Sequence, residues 1–223
     1  MTNATDLTDS DARWRGAFWL IAVCFLLSGF AALLYETVWL RQFAIILGTS
    51  EQALAVILAS YMGGLSVGAW VAAKRIDHVR HPVWLYGVLE AGIALCAIAM
   101  PWGLKCVEYL QVHLFGGAAE PPAAGSAAQI GFGLVSAFAL ILFPTAMMGA
   151  TLPLLAKHVV HRNRDVGPKI GLLYGINTFG AVVGTLTAAF LLLPNLGLQR
   201  TTWVGAAVNL AIFALIFFVA RRS

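Results

Sequence analysis

Apolar residues run along this chain in long unbroken blocks, and polar residues collect in the gaps between them. Six blocks stand out, at Ala17–Leu47, Ala53–Ala73, Val83–Gly103, Gln129–Ala156, Ile170–Leu193 and Thr202–Ala220. A helix needs about 20 mostly apolar residues to cross roughly 30 Å of hydrocarbon, and each block meets or approaches that length. The runs are continuous rather than alternating, so they predict helices, which satisfy their backbone groups internally, and not barrel strands. The expected fold is all-α, a polytopic transmembrane bundle of about six spans. It divides into an N-terminal tail at 1–16, a transmembrane domain at 17–220 with an outer loop near 104–128, and a short tail at 221–223.

Local detail refines this pattern. The first block holds 31 residues, about 46 Å if wholly helical at 1.5 Å per residue, which exceeds one perpendicular crossing. Its second half mixes aromatic and charged residues, so Ala17–Leu34 is read as the span and Tyr35–Arg41 as emerging at the outer interface, where Tyr and Trp concentrate. The alternative is a tilted or bent helix that keeps Glu36 and Arg41 inside the bundle. Pro144 and Pro153 predict a kink in the fourth helix, with Thr145 and Thr151 placed to bond the carbonyls that proline frees. Gly116-Gly117 and Pro121-Pro122 mark Leu104–Ala128 as a loop, with room for a short interfacial helix at Leu104–Phe115. Small residues four apart, at Gly64 and Gly68, Gly171 and Gly175, and Gly180 and Gly184, predict close helix packing. An echo between Tyr61-Met62-Gly63-Gly64 and Met147-Met148-Gly149-Ala150 is too short to establish an internal repeat.

Composition agrees with a membrane solvent: 60% of the 223 residues are hydrophobic and 11% charged, against roughly 25% charged in a soluble domain. Charge then orients the helices. Eleven Lys and Arg residues fall in the two ends and alternate connections, and only Arg41, Lys105 and Arg200 fall in the others. Both termini are therefore expected in the cytoplasm, in a bacterial-type cytoplasmic membrane. The net charge of +4 calls for anionic lipid rather than nucleic acid. Asp6, Asp9 and Asp11 precede the first basic residue, so the N-terminus does not read as a secretion signal. Cys24, Cys96 and Cys106 form no C-x-x-C pair and read as packing residues.

Several strings carry a family resemblance. Ser28 to Arg41 (SGFAALLYETVWLR), Met62 to Trp70 (MGGLSVGAW), Pro144 to Leu155 (PTAMMGATLPLL) and Leu173 to Ala181 (LYGINTFGA) resemble the integral membrane proteins known as spermidine-synthase-like. The resemblance implies a multi-helix, major-facilitator-like membrane region, which in that family is often joined to a soluble Rossmann-type aminopropyltransferase domain. The chain closes on Arg221-Arg222-Ser223 after the sixth block, and no Gly-rich strand-to-helix turn lies outside the blocks. The expectation is accordingly the membrane region without the synthase domain and without a cofactor.

Ionisable residues inside spans are the candidate chemistry, because burying charge there is costly. Glu90 is the clearest, and Thr151, Tyr174, Asn177 and Thr178 fall at comparable depth. Together they are expected to form either a proton- or cation-binding layer or a protonated glutamic acid bonded to Asn177 or Tyr174 as inter-helix glue. Glu36 and Arg41 make a second group near the outer face, either a cation-attracting mouth or an anchor. His78, His81, His158 and His161 form two i, i+3 pairs with weak metal-site character. The sequence leans toward a non-catalytic membrane scaffold or accessory subunit, working with other subunits or as a homodimer, with a transporter-like module for a small cation such as a polyamine or proton as the alternative.

Overall fold

The computed structural model describes residues 4–47, 51–116, 127–159 and 166–221. They fold into six helices: α1 (Ala4–Leu47), α2 (Glu51–Arg75), α3 (Pro82–Gln111), α4 (Ala127–Val159), α5 (Val166–Thr187) and α6 (Leu193–Ala220). Wider π-helical turns extend α3 through Val112–Gly116 and join α5 to α6 through Ala188–Leu192. No strand occurs among the described residues. Five helical stretches are long and apolar enough to cross a membrane, and the last of them, Gly167–Val219, is 53 residues long. That stretch is not straight. Gly197 sits at φ 72° and ψ 178°, a conformation that residues with a Cβ rarely adopt, and the helix breaks there.

The elements match the apolar blocks in number and order, with differences at several of their ends. Helix α1 begins at Ala4, inside the stretch read as a polar tail. Helix α3 does not stop at Gly103 but runs on through Pro101 to Gln111, so Leu104–Gln111, read as loop or separate interfacial helix, continues the same helix. Helix α4 passes through both Pro144 and Pro153. There the Thr145 hydroxyl donates to the Ile141 carbonyl at 2.7 Å and that of Thr151 to the Met148 carbonyl at 2.6 Å, rather than to the Leu140 and Gly149 carbonyls from which the prolines remove the i−4 donor.

Glycine decides the closest helix pairs. A Cβ on Gly180 or Gly184 of α5 would overlap the carbonyls of Leu26 or Phe30 of α1, and one on Gly68 of α2 would overlap Ala146 of α4. Gly64 likewise faces Thr145 and the Leu142 carbonyl, and Gly29 and Gly149 lie against the Asn177 and Leu65 carbonyls. The registers ascend together in both pairs, so α1 is parallel to α5 and α2 to α4. Helix α3 is antiparallel to α4, through Gly92 on Met147 and Gly103 on Leu140, and to α6, through Gly87 on Ile216 and Glu90 on Asn209. The side chain of Lys157, at the end of α4, donates to the Ile76 and Val79 carbonyls and so ties down the turn between α2 and α3.

A single displacement relates the two halves. Leu142 and Ala146 follow Leu26 and Phe30 by 116 residues, and Gly180 and Gly184 follow Gly64 and Gly68 by the same 116. His81, just before α3, precedes the Gly197 break by 116 as well. Helices α1–α3 and α4–α6 are thus two three-helix units with equivalent contacts. Each unit has an odd number of helices, so the second traverses the bundle in the opposite sense, as in inverted repeats. The repeat matches α2 with α5, not with α4 as the short Tyr61 and Met147 strings would pair it. Because α3 and α6 correspond to each other and touch, the local two-fold axis passes between them, beside Glu90 and Asn209.

Candidate functional site

Glu90 lies on the inward face of α3 and is 0% exposed. A carboxyl so placed has lost all hydration and must find its partners within the protein. One comes from α6, where the Asn209 Nδ2 donates to Glu90 Oε2. Another helix fixes that amide in turn, since Tyr35 Oη of α1 donates to Asn209 Oδ1 at 2.9 Å. The Tyr35 ring stacks on Trp39, with centroids 5.3 Å apart and planes 11° from parallel. Ser28 of α1 and Tyr86 of α3 stand beside the carboxyl, yet Glu90 Oε1 and Tyr86 Oη have no hydrogen-bond partner of normal geometry. The result is a three-helix chain, Tyr35 to Asn209 to Glu90, that ends where Glu90 Oε1 and Tyr86 Oη lie close to each other and to Ser28 without a hydrogen bond of normal geometry.

A second set of unpartnered buried atoms continues along α1: Glu36 Oε2, Trp39 Nε1 and Gln42 Oε1. Tyr61 of α2 faces Glu36 and donates to the Ala32 carbonyl at 3.0 Å. Tyr35 and Trp39 are both fully buried, so this half of α1 is inside the bundle. Tyr35 and Trp39 are thus enclosed by other helices, against the reading of Tyr35–Arg41 as emerging at the outer interface, and of the two charged residues that the alternative kept inside the bundle only Glu36 is partly buried. Arg41 is exposed and does not join Glu36.

The predicted layer around Glu90 does not assemble. Asn177 donates instead to the Phe25 carbonyl at 2.8 Å and seats α5 on α1. Thr151 is spent on its own helix. Tyr174 is 60% exposed and Thr178 is exposed as well. Glu90 finds Asn209 and Tyr35 in place of Asn177 or Tyr174. The signal for Asn209 was present as a lone amide in the apolar run of α6, the kind of residue that bonds across helices. Among the packing glycines, Gly64, Gly68, Gly180 and Gly184 meet a neighbouring helix, while Gly171 and Gly175 have nothing within 4 Å. His78 and His81 are exposed, and no group of three His, Cys, Asp or Glu able to hold a metal occurs among the described residues. His161 lies outside the described residues.

Comparison with known proteins gives the chain a context. No protein-family model and no solved structure matches it. The chain is similar to polyamine aminopropyltransferases. It is 29% identical over 229 residues to one from Mycobacterium tuberculosis, a match covering 98% of this chain and 38% of the relative. Polyamine aminopropyltransferases 1 and 2 of Streptomyces coelicolor are 24% and 28% identical, over 96% and 93% of this chain and 36% and 35% of their own lengths. The chain thus spans little more than a third of the curated relatives it matches, and the relationship to spermidine-synthase-like proteins stands. These relatives correct the reading as a non-catalytic scaffold or accessory subunit, because they are named as enzymes and the matches extend over nearly the whole length of the chain. The transporter alternative draws no better support from them.

Proposed function

We propose that the chain is the membrane-spanning portion of an enzyme that transfers aminopropyl groups to polyamines. The observation that carries this is the similarity to polyamine aminopropyltransferases over 93–98% of the chain. The helices fit such a portion, being long and apolar enough to cross a bilayer. We read six crossings, because 53 residues of helix would extend about 80 Å at 1.5 Å per residue, more than twice the hydrocarbon thickness, and the Gly197 break divides them. The eleven-to-three bias of basic residues favours both termini on the cytoplasmic side, with the basic connections against anionic headgroups.

The test compares membranes from cells that have, lack or re-express the protein. Each is supplied with an isotope-labelled diamine and an aminopropyl donor, and chain-extended amines are measured by mass spectrometry. Membrane-associated extension that falls on deletion and returns on re-expression is expected. Extension indifferent to the protein overturns the reading.

A further inference from the structure

Five buried side-chain polar atoms lack a hydrogen-bond partner among the described residues: Glu36 Oε2, Trp39 Nε1, Gln42 Oε1, Tyr86 Oη and Glu90 Oε1. Folded proteins leave few such atoms, and each usually has a reason. These five are not scattered. Tyr86 and Glu90 share a face of α3, one turn apart. Asn209 and Tyr35 connect Glu90 to α1, and the stack of Tyr35 on Trp39 carries the line onward. Glu36 follows Tyr35 directly, and Gln42 lies seven residues beyond Tyr35, on the same helical face.

Acceptors outnumber donors along the line, where Trp39 Nε1 is the one donor-only atom. Two of its open atoms belong to carboxyl groups and a third is an amide oxygen, and neither carboxyl has a Lys or Arg partner among the described residues. Between them stand the rings of Tyr35, Trp39, Tyr61 and Tyr86, all buried. Carboxylate acceptors spaced along a path of aromatic faces suit a ligand with several ammonium groups joined by methylenes, since each ammonium takes an oxygen and each neighbouring CH2 packs on a ring. A single metal ion would want its donors converged, and these are strung out. Its Glu90 end lies where the two repeats meet, against Asn209 of the second unit, the kind of place where inverted-repeat membrane proteins hold ligands.

We propose that Glu90, Tyr86, Glu36 and Gln42, with the aromatic face of Tyr35 and Trp39, form a binding site for a linear polyamine inside the helix bundle. This rests on the aminopropyltransferase reading for the choice of ligand class, and on the open polar atoms for the place. Glu90 Oε1 and Tyr86 Oη hold the inner ammonium, Asn209 keeps the carboxyl in position, and Glu36 and Gln42 take the outer amine.

The experiment uses the full chain in lipid nanodiscs with tritiated spermidine as probe. Saturable binding is expected, weakened by roughly 30-fold or more in Glu90→Gln, as for loss of one partner from a buried charge pair, less in Glu36→Gln, and unchanged in Tyr174→Phe. Because Glu90→Gln can fail to fold, the unaltered protein is also treated with a hydrophobic carbodiimide, which modifies buried carboxyls. Spermidine should slow modification of Glu90 and Glu36, and an equal charge concentration of sodium should not. Absence of saturable binding, equal binding by Glu90→Gln, or modification indifferent to spermidine overturns the site. Spermidine binding without membrane-associated aminopropyl transfer would overturn the enzyme reading while leaving the site in place. Transfer without binding would do the reverse.

Discussion

Asn209 is the residue on which the buried polar chain turns, because its amide faces two ways. Its oxygen accepts from Tyr35 and its nitrogen donates to Glu90. Replacing it with leucine removes both partners at once, and each group stranded in the interior costs about 1–3 kcal/mol. Tyr35→Phe strands only the amide oxygen, so it should destabilise less than Asn209→Leu when unfolding is followed in detergent. Glu90→Gln keeps hydrogen-bonding capacity and should cost less stability than Glu90→Leu; equal losses from the two would mean that Glu90 does not act through its polar atoms. Glu90 was legible in the sequence because a charged residue inside an apolar run is conspicuous. Its partners were not, for identifiable reasons. The run Tyr35-Glu36-Thr37-Val38-Trp39 has the composition of an interfacial girdle, and only the packing of α2, α3 and α6 around it shows that Tyr35 and Trp39 are enclosed. Depth along helices could align Tyr174 and Thr178 with Glu90, but depth does not give rotation, and both turn outward.

Between elements, backbone approach governs. Gly180 and Gly184 let α5 lie on the carbonyls of α1, and Gly64 and Gly68 do the same for α2 on α4. Gly180→Leu and Gly64→Leu should therefore each prevent native packing, read as loss of a monodisperse species on size-exclusion chromatography. Gly175→Ala meets open space and should be neutral or should stabilise by up to about 1 kcal/mol, the helix-propensity difference. A well-folded Gly180→Leu protein would contradict this arrangement. The number and order of helices were plain from apolar blocks. The end of α3 was not, because Pro101 and Gly103 look like a stop and yet lie within a continuous helix. Small-residue spacing also could not separate the occupied Gly180 and Gly184 pair from the open Gly171 and Gly175 pair, since both satisfy the same rule and only the neighbours differ.

For the whole molecule, the 116-residue displacement makes the two halves mutually informative. Paired substitutions such as Gly64→Leu and Gly180→Leu should produce losses of similar size, because they occupy corresponding contacts. Orientation is tested by labelling single cysteines placed at Asp77, Arg162, Glu120 and Ser223 with an impermeant reagent, and Glu120 alone should react from outside. External labelling at Arg162 would remove the six-crossing reading. The parallel seating of α5 on α1 has a further consequence for biogenesis. Helix α1 scarcely touches α2 beside its contact with α5, and Gly180 is synthesised 154 residues after the Leu26 carbonyl it covers. At about 5–20 residues per second, the first helix spends on the order of ten seconds or more in the membrane before its principal neighbour exists. A nascent chain halted ahead of residue 166 therefore lacks the contacts that hold α1 most extensively, and is expected to be held by insertion machinery or cleared by membrane proteases.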